Sequence, residues 1–298
     1  MLRVLIIRFL LRTTSLLPLR VAHALGTALG ALLGCIPGKT RHTVRTNLDL
    51  CFPELAPAER RALERAGFRE LGRQFMELGI IWHASPERLR SLVSNPEAMD
   101  ELDALWDRNT GLLLAAPHLG NWELASLYLN QRFPINNLYR PPRDPALEPL
   151  LVDFRQRTGA NSFPATPGGI RNLYKALRQG EVVGILPDQT PGRSGVFAPF
   201  FGHPALTMTL LCQMARKSGA PVVFVFCERL PAGRGFKLHV RRGHPDIAHP
   251  DTEIAATAMN ADIEACVREA PAQYQWTYRR FRRRPEGLPN PYRAPGSN

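Results

Sequence analysis

The sequence predicts an α/β fold with a largely parallel central sheet flanked by helices, and three observations lead there. Strand-length apolar runs recur at residues 112–116, 181–186 and 222–227. Segments with helical spacing alternate with them, the pattern of a parallel sheet covered by helices. Polar breaks follow the first two runs directly, Pro117–His118 and Pro187–Asp188–Gln189. Such breaks sit at the carboxyl ends of strands, where α/β sheets place their chemistry.

The elements follow in order. Residues 1–20, MLRVLIIRFLLRTTSLLPLR, are apolar but carry Arg3, Arg8, Arg12 and Arg20. Arg8 and Arg12 lie one helical turn apart, with Leu5, Ile6, Phe9 and Leu10 elsewhere on the wheel, which predicts a basic amphipathic helix. A second apolar run, 21–37, contains His23. Crossing hydrocarbon takes about 20 apolar residues, so neither run alone predicts a spanning helix. An in-plane or shallow membrane anchor over residues 1–40 fits better. An α/β domain is expected over 41–285 and a flexible, Pro- and Gly-rich tail over 286–298. Within the domain, residues 58–83 carry Leu63, Phe68, Leu71, Phe75, Leu78, Ile81 and Trp82 near a helical period. Residues 95–107 are a second expected helix. After the 112–116 strand, Trp122 opens another helix, and 135–139 is a short strand. Helices are expected at 146–157, 168–179, 206–217 and 252–269, and a fourth strand at 236–240. Residues 192–204, GRSGVFAPFFGHP, read as a Gly- and Phe-rich loop whose rings wall an acyl groove or fill the core.

Composition narrows the partners. A chain of 298 residues is long enough for a sizeable core. The net charge of +12, from 38 Lys and Arg against 26 Asp and Glu, favours nucleic acid, anionic lipid or an acidic carrier protein. Paired zinc-finger cysteines and an aromatic-basic RNA-binding signature are missing, so no nucleic acid is expected as partner. The five cysteines are odd in number and form no CxxC pair, so they suggest neither a disulfide framework nor a thiolate metal site. Arg279, Arg280, Arg282, Arg283 and Arg284 crowd six positions around Phe281. Such a run is either a solvated face or a contact for phosphates and acidic partners.

His118 and Glu123 carry the chemical signal. A neutral imidazole accepts a proton from a hydroxyl near pH 7, and a carboxylate on its other nitrogen fixes the tautomer. On one continuous helix the five-residue gap would separate them by about 140°. They meet only if His118 lies on the turn and Glu123 in the first helical turn. A structural reading serves the same residues equally: a loop histidine and a glutamate favoured near a helix N-terminus. No GxSxG elbow, HExxH pair, Walker A loop or GxGxxG loop occurs. Direct attack by a substrate hydroxyl therefore fits better than a covalent enzyme intermediate.

HLGNWE looks like the HxxxxD/E motif of the lysophospholipid acyltransferase superfamily. Six blocks in order resemble, more specifically, the late lipid A acyltransferases of Gram-negative bacteria, the lauroyl and myristoyl transferases. They are NLDLCFPE at 47–54, HLGNWELA at 118–125, LYRPPRDPALEPLL at 138–151, GGIRNLYKALRQGEVVGILPDQ at 168–189, GVFAPFFG at 195–202 and YQWTYRRFRRRP at 274–285. The resemblance implies a glycerolipid-acyltransferase-like fold and transfer of an acyl group from acyl carrier protein to a hydroxyl of a lipid A precursor. The site implied is the cytoplasmic face of the bacterial inner membrane, an anionic surface, with no metal or organic cofactor. His118 would be the general base, Glu123 its orienting partner and Arg155 a functional arginine. Arg140, Asp188, Gln189 and Asn121 would meet substrate. Leu119 stands where some members carry Phe, a form shared with relatives acting on other lipids. Another glycolipid, an aminolipid or a lysophospholipid is thus an alternative acceptor. A non-catalytic basic membrane- or nucleic-acid-binding protein is the more distant alternative.

Overall fold

A computed structural model describes residues 2–142, 144–150, 154, 159–192 and 194–293. Its centre is a six-stranded sheet in the order β3-β2-β4-β1-β7-β8. The strands are β1 (Leu112–Ala115), β2 (Ile135–Tyr139), β3 (Asn161–Pro164), β4 (Val182–Ile185), β7 (Val222–Arg229) and β8 (Phe236–Arg242). All neighbours are parallel except β7 and β8, which run antiparallel. Leu113 of β1 pairs with Val183 of β4 on one side and Val222 of β7 on the other, so β1 is central.

Alternation along the strands divides the core in two. Leu113 and Ala115 join one buried layer with Val183, Ile185, Phe224 and Phe226. Leu112 and Leu114 join the other with Val182, Val223 and Val225. The first layer is closed by the helices α8 (Pro167–Arg178), α9 (Leu210–Ser218) and α10 (Thr252–Glu269), the second by α7 (Trp122–Leu129). The N-terminal helices contribute to both, Val44, Leu48 and Phe68 to the first and Leu11, Ala22 and Ile81 to the second.

Those N-terminal helices are α1 (Leu2–Ser15), α2 (Leu19–Cys35), α3 (Lys39–Cys51) and α4 (Pro57–His83). Both α1 and α2 pack on α4. Glycines let α2 come close: a Cβ on Gly30 would lie 2.1 Å from the Phe68 carbonyl oxygen. Their other face is apolar and exposed, with Phe9 at 70% and Leu16 at 80%, beside Leu5, Leu25 and Leu32. Among the described residues no single helix is long and apolar enough to cross a membrane; α2 and α3 pass together by length and composition, across a 92° bend. The N-terminus is therefore a helix pair buried on one side and apolar on the other.

Several expectations shift. Residues 192–204 are not one loop: β5 (Val196–Phe200) and β6 (His203–Thr207) form an antiparallel hairpin. Phe200 and Phe201 are core residues, which favours packing over an acyl groove there. The helix expected from 206 starts only at Leu210, because Leu206 and Thr207 complete β6. The helix expected over 95–107 shortens to α6 (Ala98–Ala104), preceded by α5 (Pro86–Leu92). Most of the helix expected over 146–157 lies outside the described residues. Within the expected flexible tail, residues 286–289 are exposed, whereas Tyr292 is buried and its hydroxyl donates to Asn47 Oδ1. The arginine run divides: Arg280 points inward and donates to the Leu206 carbonyl at 2.7 Å and Thr207 Oγ1 at 2.8 Å, while Arg279, Arg282 and Arg283 stay exposed.

Candidate active site

Two adjacent parallel strands supply the site. β1 ends at Ala115 and β4 at Ile185, and the Ala116 amide donates to the Ile185 carbonyl, so the strands leave the sheet side by side. His118 follows β1 and Asp188 follows β4. The Asp188 side chain is 2% exposed and accepts twice from His118: from the backbone amide at 3.1 Å and from imidazole Nδ1 at 2.8 Å. Burial alone would raise the Asp188 pKa. The charge and hydrogen bonds of His118 outweigh it and hold the carboxyl below the usual aspartate range.

The other imidazole nitrogen, Nε2, lies 3.3 Å from Gln189 Nε2. An amide N–H has only a lone pair to meet there, so with Asp188 accepting from Nδ1 the neutral ring carries its proton on Nδ1. Gln189 is held by Gln275 Oε1 at 2.9 Å, and the Gln275 amide donates to the His118 carbonyl at 3.0 Å. Trp122 meets the imidazole edge-on, with centroids 5.0 Å apart. The His118 side chain keeps 16% of its surface exposed, against 2% for Asp188.

The turn itself is clamped. Gly120 has φ +60°, and a Cβ there would lie 2.0 Å from the Cys227 carbonyl oxygen. The Gly120 amide donates to the Gln273 carbonyl at 3.1 Å and the Asn121 amide to Cys227 at 2.8 Å. Asn121 Oδ1 caps α7 by accepting from the Leu124 amide at 2.9 Å. Its Nδ2 donates to Glu77 Oε2 at 2.7 Å. Asn121, expected to meet substrate, is 1% exposed, and its Oδ1 and Nδ2 are both bonded within the protein.

The remaining expectations divide. His118, Asp188 and Gln189 come together. Glu123 sits in the first turn of α7 as expected and is 6% exposed, but the carboxylate on His118 Nδ1 is that of Asp188. Arg140 is exposed just beyond β2. Arg155 lies outside the described residues. Leu119 is fully buried in the core and bridges to Tyr274, so its difference from Phe is felt in packing rather than in the accessible site. Four cysteines are buried, and burial pushes the thiols up, that of Cys212 to about 12, which makes them poor nucleophiles.

Sequence reasoning missed the charged groups beneath the turn: His23, Glu77 and Arg229. Their signal was a lone polar residue inside or ending an apolar segment, as in FMELGIIW for Glu77 and VVFVFCER for Arg229.

The family model of the bacterial lipid A biosynthesis acyltransferases matches residues 2–283. The chain belongs to this family. It is 34% identical over 283 residues to a lipid A biosynthesis lauroyltransferase of Escherichia coli K12, covering 93% of this chain and 90% of that one. A palmitoleoyltransferase of the same organism is 32% identical over 91% of this chain and 88% of its own, and a myristoyltransferase 24% identical over 94% and 86%. As a lipid A biosynthesis acyltransferase, the protein needs an acyl donor and a lipid A-type acceptor.

Proposed function

We propose that the protein transfers a fatty acyl chain from acyl carrier protein to a hydroxyl of a lipid A precursor, at the cytoplasmic face of the bacterial inner membrane. The observation that carries the reading is the partly exposed His118 side chain, whose Nδ1 is held by buried Asp188 and whose Nε2 meets only the weak contact of Gln189 among the described residues. The acceptor hydroxyl displaces the weak contact of Gln189 and gives its proton to Nε2. Its oxygen attacks the thioester carbonyl to form a tetrahedral intermediate. The carbon–sulfur bond then breaks, the new ester remains on the lipid, and the imidazolium returns the proton to the leaving thiolate. Asp188 stabilises the imidazolium, in the role the sequence gives to Glu123. Arg155, placed by the family resemblance, supplies positive charge to the oxyanion. The +12 charge suits an acidic carrier and an anionic membrane.

The test pairs two measurements. His118→Ala should lower the rate of acyl transfer by about 10²–10⁴-fold, the contribution of a general base; wild-type turnover in that variant refutes the mechanism. Lipid A from cells lacking the protein should be short of one acyl chain by mass spectrometry. An unchanged acyl count refutes the acceptor and turns attention to another glycolipid or aminolipid.

A further inference from the structure

Beneath the His118 turn lies a buried charged cluster. Glu77 of α4 is fully buried. Its Oε1 accepts from His23 Nε2 of α2 at 2.5 Å and from Arg229 Nε. Its Oε2 accepts from Arg229 Nη2 at 2.6 Å and from Asn121 Nδ2 at 2.7 Å. The four contacts use the whole acceptor capacity of the carboxylate. Arg229, at the end of β7, also donates from Nη1 to Glu70 at 2.9 Å. Burial would raise the Glu77 pKa, but Arg229 and His23 bring it down to about 2, so the Glu77 carboxylate stays ionised at neutral pH.

Two routes run from this cluster to the turn. One is a side-chain route: Glu77 holds Asn121, and Asn121 caps α7. The other passes through Gln273, whose side chain bonds the Arg229 amide at 2.8 Å and carbonyl at 2.9 Å, and whose own carbonyl receives the Gly120 amide at 3.1 Å. His118 is two residues from Gly120 and three from Asn121. The first route starts at the Glu77 carboxylate itself and the second at the backbone of its partner Arg229, so the cluster holds the turn at both Gly120 and Asn121. His23 fixes that carboxylate from α2, the helix whose opposite face exposes Val21, Leu25 and Leu29.

We propose that His23, Glu77 and Arg229 are positioning residues that set the orientation of the His118 turn, so that the N-terminal helix α2 contributes to turnover without touching substrate. The proposal rests on His118 being the base. A buried charge pair is weak evidence for net stability; here its geometry is aimed at the turn from two sides. Small displacements of a base are expensive in rate, about 10²-fold for about 1 Å.

The test uses the full-length enzyme in detergent or vesicles. Removing the His23 contact by His23→Ala should lower kcat about 10–100-fold with KM within about twofold. His23→Gln, whose amide N–H reaches toward Glu77, should recover most of the loss. Should His23→Ala fail to fold, Asn121→Ser examines the same link, because serine still caps α7 but no longer reaches Glu77; the same drop in kcat is expected. Wild-type kcat in either folded variant overturns the proposal. So does a loss in His23→Ala that the folded fraction accounts for, or that Gln leaves unrepaired. His118→Ala is measured in parallel. If it stays active, the base assignment has failed; if it is dead while His23→Ala and Asn121→Ser keep their kcat, only the positioning cluster has failed.

Discussion

Asp188 does two jobs that depend on its being ionised. Its Oδ1 fixes the imidazole and its Oδ2 holds the His118 backbone. An amide in its place presents N–H as well as C=O, and an N–H facing Nδ1 selects the wrong tautomer. Asp188→Asn should therefore lower kcat by about 10²–10⁴-fold while KM changes little. Glu123→Gln, measured beside it, separates the two carboxylates: an intact Asp188→Asn with a dead Glu123→Gln would return the orienting role to Glu123. The same substitution has a stability signature. The folded Asp188 pKa is lowered, so its stabilisation is present above the unfolded value and disappears as pH falls through the folded one. Asp188→Asn should flatten that acid-side loss in thermal melts taken down the pH scale. The sequence could name His118, Asp188 and Gln189 but not pair them, because 70 residues separate His118 from Asp188 and only the sheet order makes them neighbours. Spacing offered Glu123 instead, the carboxylate near in sequence.

Elements explain why the turn has its shape. The chain must leave β1, pass under the end of β7 and enter α7 within six residues. Gly120 makes that passage with a left-handed φ and no side chain against the Cys227 carbonyl. Gly120→Ala should destabilise by about 2–5 kcal/mol, combining about 1–2 for the left-handed backbone and about 1–3 for overpacking. Gly192→Ala is the comparison, since a Cβ there has open space and the backbone is not left-handed. Equal melting temperatures for the two variants would mean the turn yields more easily than its contacts imply. Strands with continuous apolar runs were legible at once, as were α4 and α10. The hairpin β5–β6 was not, because two prolines and the Phe201–Gly202 corner resemble a loop, and pairing between the strands, rather than local composition, makes it a sheet. The short β3 has no apolar run and exists because the edge of β2 is there to pair with.

At the scale of the whole molecule, charge and exposed apolar surface fall on the same N-terminal helices. Phe9 and Leu16 are among the most exposed large apolar side chains described, and Arg3, Arg8, Arg12 and Arg20 are exposed along the same pair. Exposed apolar surface rimmed by basic residues is the composition of an interfacial helix. Two attractions follow, and they separate by salt: arginine attraction to an anionic surface weakens as the Debye length shrinks, while apolar insertion does not. Phe9→Asp with Leu16→Asp removes two side chains whose burial contributes about 1.5–3 kcal/mol each. Retention on vesicles of anionic phospholipid in about 1 M salt, where screening leaves the apolar part, should fall at least about tenfold. The melting temperature should barely move, because exposed substitutions away from the core change stability by about 0.5 kcal/mol or less. Arg8→Gln with Arg12→Gln should show the reverse: weaker retention at low salt and wild-type retention at high salt. If the aspartate pair still sediments with vesicles like wild type at high salt, where the arginine attraction is screened, Phe9 and Leu16 are not what meets the bilayer.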